Sequence, residues 1–125
     1  TSLTTFKVTS DITNIQANAF LNSALSTISF ESGSNLKQLS SHAFENTNIV
    51  HLELPGSLTT IQSRVFKGMT RLETVVIPSS VETIGEHAFE AATDVIIYVR
   101  LSDQPKGWHD SWNPDDRPVE WGYTD

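Results

Sequence analysis

Four histidines, an acidic stretch near the end and three tryptophans are the side chains with which this 125-residue sequence could do chemistry. His42 and His87 each stand two residues before a Phe, at a place where otherwise similar stretches carry Asn18 and Arg64. A position that accepts His, Asn and Arg alike reads as solvated rather than as a metal ligand or general base. His51 lies between the apolar Ile49 and Leu52 and is expected to face outward, and His109 sits beside Asp110. The stretch WHDSWNPDDR offers hard ligands in His109, Asp110, Asp115 and Asp116. Their spacing is not that of a calcium loop, which alternates oxygen ligands around a central Gly before a distant Glu. NPDD reads better as a turn, with Pro114 fixing φ and the Asp side chains capping backbone N–H groups. There is no cysteine, which removes disulfides and thiolate metal sites together. HExxH, GxSxG and a glycine-rich phosphate loop are also missing, and nothing places two carboxylates across a cleft. No catalytic residue, metal ligand or cofactor is assigned, and the chain reads as non-catalytic.

A net charge of −7 and a pI near 4.9 argue against nucleic acid and anionic membrane surfaces, both of which call for a basic face. No apolar run reaches the length of a membrane span, so no membrane insertion is expected. The chain is one domain's worth of sequence. It opens in mid-pattern without an initiator Met, which reads as a segment or processed form of something longer.

The elements that must position these side chains come from a repeat. ITNIQANAF (12–20), LKQLSSHAF (36–44), LTTIQSRVF (58–66) and VETIGEHAF (81–89) share one spacing: an apolar residue, another three later, and Phe eight later. A second block follows each Phe: Leu25, Ile28, Phe30; Ile49, Leu52, Leu54; Leu72, Val75, Ile77. Leu3, Phe6 and Val8 supply half a repeat at the start. Phe-to-Phe steps are 24, 22 and 23 residues, and the length differences fall in the connections, ESGSN against PGS and PSS. Fixed apolar spacing with variable connections is what stacked coils demand, because each coil sets its apolar residues over those of its neighbour. A period of this length with recurring Leu and Ile has the character of a leucine-rich repeat.

LSTISF, VHLELP and LETVVIP are rich in β-branched and apolar residues and predict the strands of a parallel sheet, with Pro55 and Pro78 ending two of them. The VETIG-type segments predict a second, shorter ladder, with the residue pair before and at each Phe closing a tight helical turn. The fold class is therefore mainly β: a solenoid of about 4.5 coils over residues 1–102, with a capping tail at 103–125 in the same domain. In the last repeat the inward residues are Val95, Ile97 and Val99, since the alternative register buries Arg100 unpaired. The outward positions of successive strands are then Lys7, Ser29, Glu53, Val76 and Tyr98, flanked by Thr5, Thr27, His51, Thr74 and Ile96. A regular sheet face with irregular chemistry suits recognition by complementarity, and this is the candidate binding face; solvated, functionless variation is the plain alternative.

Trp108, Trp112 and Trp121 admit two readings. Their rings form either a platform for stacking sugars or a lid over the apolar end of the last coil, folded back by Pro105, Pro114 and Pro118.

The units LTTIQSRVFKGMTRLETVVIPSS and VETIGEHAFEAATDVIIYV resemble BspA-type (Treponema pallidum-type) leucine-rich repeats of bacterial surface proteins. The tail GWHDSWNPDDRPVEWGY is similar to the segment that often closes such arrays in Gram-positive bacteria. The copies depart from the pattern where Gly85 is replaced by Gln16, Ser40 and Gln62, and where Glu31 stands in place of Pro. The resemblance implies an adhesin-like, host- or cell-surface-interaction role in a surface or secreted protein, with a protein ligand such as a host extracellular protein. A carbohydrate-binding module and a structural spacer in a larger protein are the alternatives.

Overall fold

The structure, a computed structural model, describes residues 4–124; Leu3, the first residue of the opening half-repeat, lies outside them. The chain winds as a parallel β-solenoid of about five turns, and each turn contributes to three columns. One column is the short four-stranded sheet of β2 (Asn14–Ile15), β4 (Gln38–Leu39), β6 (Thr60–Ile61) and β8 (Thr83–Ile84), in that order. The second holds the longer strands β1 (Thr5–Val8), β3 (Thr27–Phe30), β5 (His51–Glu53), β7 (Thr74–Ile77), β9 (Ile96–Val99) and β10 (Val119–Trp121).

The third column differs from the helical turn expected around each Phe. No helix occurs among the described residues. Each coil instead makes a run of β-turns, closed for example by the amides of Ala43 and Thr47 donating to the carbonyls of Ser40 (3.1 Å) and Phe44 (3.2 Å). The third residue of each of these two turns has φ near +60°, the position that a type II turn reserves for left-handed backbone. Two residues per coil are affected: Asn18, His42, Arg64 and His87 before the Phe, and Asn22, Asn46, Gly68 and Ala91 after it. The reversals aim alternate amides at the next coil. His42, Phe44 and Asn46 donate to the carbonyls of Ser63, Val65 and Lys67 at 3.3, 3.0 and 2.9 Å. A backbone ladder therefore runs along the turns as well as the strands.

The core lies between the columns as stacks of identical positions. Leu36, Leu58 and Val81 form one buried stack, and Leu39, Ile61 and Ile84 another. Phe44, Phe66 and Phe89 are fully buried, whereas Phe20 in the first coil is half-exposed. Their rings stack face to face, with centroids 5.6 Å (Phe20–Phe44), 6.1 Å (Phe44–Phe66) and 4.8 Å (Phe66–Phe89) apart. Phe44 and Phe66 each meet a like ring above and below, so a change of register would displace the whole stack.

The sheet of the long column also departs from the expected architecture. The long column is not one sheet: β1 pairs only with β3, and β5, β7, β9 and β10 form a separate four-stranded sheet. The division falls at ESGSN, the connection two residues longer than its later counterparts, where Glu31 replaces the strand-ending Pro. The tail, expected as a cap of the same domain over the last coil, lies against that coil by extending its ladders. Trp108 makes a parallel bridge to Ile84, the amide of Phe89 donates to the Trp112 carbonyl (3.3 Å), and β10 pairs with β9 in register Val119↔Ile97 and Trp121↔Val99. Trp108 thus occupies the Ile place of a coil, while Trp112 falls one residue short of the Phe place and meets Phe89 edge to face, with centroids 5.9 Å apart.

Candidate functional site

The outward side chains of the long column are set by strand alternation. In the four-stranded sheet His51, Thr74 and Ile96 lie in one row, and Glu53, Val76, Tyr98 and Glu120 in the next. Val95, Ile97 and Val99 are buried, as the register that spares Arg100 requires. Lys7 faces Ser29, and Thr5 faces Thr27, on the separate two-stranded sheet. The candidate face is therefore divided. Six of its residues, His51, Glu53, Thr74, Val76, Ile96 and Tyr98, share one surface, whereas Lys7, Thr27 and Ser29 stand across a cleft from them.

On the larger surface His51 Nδ1 lies 2.7 Å from Thr74 Oγ1, tying one row together. Ile96 is 36% exposed, enough to present an apolar contact. Three residues missed in the sequence complete the surface. Arg100 reaches Glu53 (Nη2–Oε2 3.6 Å) and lies 5.1 Å from the ring centre of Tyr123, a cation–π distance. Tyr123 in turn packs against Tyr98, with ring centroids 4.9 Å apart. Glu120 arrives through β10. Only Arg100 carried a signal, since its register makes it outward; Glu120 and Tyr123 belong to a tail whose strand pairing has no copy elsewhere in the chain.

The smaller sheet carries an ion pair between Lys7 Nζ and Glu31 Oε2 at 3.8 Å. The Ser10 amide donates to Glu31 Oε1 at 2.7 Å, and this bond above all holds the Glu31 carboxyl below its ordinary range, with Lys7 adding a smaller pull.

The histidines at the turn positions are half-buried rather than fully solvated. His42 Nδ1 pairs with Glu45 Oε1, and His87 Nδ1 lies 3.2 Å from Glu90 Oε1. Side-chain polarity at this place matters less than tolerance of positive φ, to which Asn and His are better suited than most residues. The tail acids do not converge: Asp115 Oδ2 accepts from the Ala91 amide (2.7 Å), while His109 Nδ1 is 3.0 Å from both the amide and the hydroxyl of Ser111. Among the described residues no three His, Cys, Asp or Glu side chains gather as metal ligands would.

The tryptophans also separate. Trp108 and Trp112 are 2% and 4% exposed and meet edge to face at 74°, whereas Trp121 is 37% exposed. The expectation that all three pack largely against the last coil thus holds for two. Trp108 Nε1 donates to the Val81 carbonyl (3.3 Å) and Trp112 Nε1 to Gln104 Oε1 (3.1 Å), which satisfies both indoles inside. A sugar platform built on two exposed, coplanar rings is not what this geometry presents.

A family model for the BspA type leucine rich repeat region matches residues 1–108, in six copies. The chain belongs to the BspA-type leucine-rich repeat family. Neither curated proteins nor solved structures gave a match. BspA-type repeats are modules that commonly bind proteins and typically belong to surface or secreted proteins, and a leucine-rich-repeat solenoid is typically a non-enzymatic scaffold. No helix among the described residues is long and apolar enough to cross a membrane.

Proposed function

We propose that this BspA-type repeat domain is a non-catalytic protein-binding module of a bacterial surface or secreted protein, acting in host or cell-surface interaction. Its binding surface is the outer face of the four-stranded sheet, and residues 103–125 act as the cap of the same domain. The observation that carries this reading is the row Glu53, Val76, Tyr98 and Glu120, with Arg100 and Tyr123 beside it. Identical backbone spacing there supports an acid, an aliphatic, an aromatic pair and a guanidinium. Aromatic and Arg side chains are the commonest anchors of protein interfaces, and opposed charges give such a surface its specificity.

Two substitutions test it. Tyr98→Ala and Glu53→Lys should each weaken capture of a protein partner about tenfold or more while leaving the thermal midpoint nearly unchanged, because both side chains project outward. Titration calorimetry with the captured protein reads the first quantity and differential scanning calorimetry the second. A partner that binds the double variant as tightly as the parent removes this face from consideration.

A further inference from the structure

We propose that the cleft between β3 and β5 receives an extended, cationic segment of the partner protein by strand addition. This rests on reading the chain as a protein-binding module and adds where, and to what chemistry, it binds. Every other neighbouring pair of strands in the long column is laddered, and this one pair is not, among the described residues.

The backbone on both walls is turned toward the opening. Thr27 and Glu31 donate their amides to β1 and its end, at Thr4 (3.0 Å) and Val8 (2.9 Å), and the Leu54 amide goes to Val76 (3.1 Å). Backbone groups alternate sides along a strand, so Ile28 and Phe30 on one wall, and His51 and Glu53 on the other, direct theirs toward the cleft. An extended segment can take up such groups by main-chain pairing, the mode in which a peptide joins an exposed sheet edge.

Shape and charge agree. The cleft encloses about 810 Å³, within the range of about 300–1,000 Å³ typical of ligand sites. Part of its apolar floor is open: Ile28 and Phe30 are half-exposed, while Val75, Ile77, Ile97 and Val99 at the same places in later coils are buried. Glu31 and Glu53 are the charged groups among the lining residues, and no Lys or Arg lines the cleft. Their cations, Lys7 and Arg100, stay 3.8 and 3.6 Å away, leaving room for a closer partner. A strand alternating apolar and basic side chains would put one set on Ile28 and Phe30 and the other toward the carboxylates.

The intact chain can be titrated with a capped peptide of about six residues alternating lysine and valine, a length typical of a strand. The controls are a glutamate-for-lysine peptide and a lysine peptide N-methylated at alternate residues. At saturation, amide hydrogen exchange at His51 and Glu53 should slow about tenfold or more, and the glutamate peptide should bind at least about tenfold more weakly. N-methylation should abolish binding. Ser29→Lys, at an exposed wall residue, should weaken the lysine peptide about tenfold, and Tyr98→Ala, outside the cleft, should leave it unchanged. Equal binding of the lysine and glutamate peptides, or shifts confined to the surface around Ile96 and Tyr98, would overturn the proposal. So would a peptide-free chain that sediments as a dimer with these amides already protected, since a second copy would then fill the cleft. A whole partner protein lost with Tyr98→Ala but kept by Ser29→Lys removes the cleft and leaves the face; one kept by both removes the protein-binding reading as well.

Discussion

Two residues of each turn run hold left-handed backbone, and only some of them are suited to it. Left-handed φ costs an ordinary L-residue about 1–2 kcal/mol, less for Asn and almost nothing for Gly. Gly68 meets the requirement directly, and it also leaves space, since a Cβ there would fall 2.0 Å from Asn46 Oδ1. Ala91 stands at the equivalent place with φ 60° and no such relief. Ala91→Gly should therefore stabilise the fold by up to about 1 kcal/mol, read as a higher urea midpoint with unchanged m-value. The requirement was invisible in the sequence because Asn18, His42, Arg64 and His87 share no side-chain property; what they share is a dihedral angle. The Phe positions were legible for the opposite reason, since one side chain recurs at one spacing. Phe66→Ala should cost about 3–5 kcal/mol, because its ring lies between Phe44 and Phe89 and a cavity would open in mid-stack. A urea midpoint unchanged within error would contradict the stacked arrangement. Gly85 stood out in the sequence only as the odd residue among Gln16, Ser40 and Gln62; its added Cβ would lie 2.6 Å from the Ser63 amide nitrogen, so a close backbone approach holds it as Gly.

At the scale of elements, strand length and alternation came directly from β-branched and apolar residues at fixed offsets. The pairing between elements was less accessible. ESGSN was visible as a longer connection, but a length difference alone does not say whether slack bulges outward or lets two strands separate. Glu31 decides part of this. In the later coils Pro55 and Pro78 follow the strands, whereas the Glu31 carboxylate reaches back to the Ser10 amide and fastens β3 to the first coil rather than the next. This bond makes the first two strands a unit with its own acid sensitivity. The Glu31 pKa in the folded chain lies below its ordinary value of 4.5, so the bond's contribution is complete above that value and is lost as pH falls through the folded value. Between about pH 6 and about pH 3 the thermal midpoint should fall, and in Glu31→Gln the fall should be smaller, because a neutral amide carries no proton-linked term. Equal falls in parent and variant would show that other carboxylates account for the acid sensitivity.

For the whole molecule, the tail decides how the stack ends. Its spacing was only partly in the sequence: Ile84 to Trp108 is 24 residues, a step seen between earlier coils, but Trp108 to Trp112 is 4 where every earlier interval from this place to Phe is 5. Reading Trp as closing an end did not say how it does so: Trp108 takes the Ile place of a further turn, and Trp112 meets Phe89 edge to face. Two buried indoles remove about 150–250 Å² each from water, several kcal/mol at about 25 cal/mol per Å². Truncation after Ser102 should therefore lower stability markedly, bare the open edge of β9 and make the chain self-associate in sedimentation. A truncated chain that stays monomeric and as stable as the parent would refute the cap. The one-way ladder of the turns has a further consequence. Its amides all point toward the C-terminal coil, at Asn18→Ser41, His42→Ser63, Arg64→Glu86 and His87→Ser111. Peptide dipoles aligned along an axis sum as they do in a helix, giving the stack a polarity although it contains no helix. Amides lead at the C-terminal end, the positive pole, where the Asp115 carboxylate takes the Ala91 N–H with Asp116 next in the chain. Acids placed there act as they do at the start of a helix, and each added coil would lengthen the dipole they terminate.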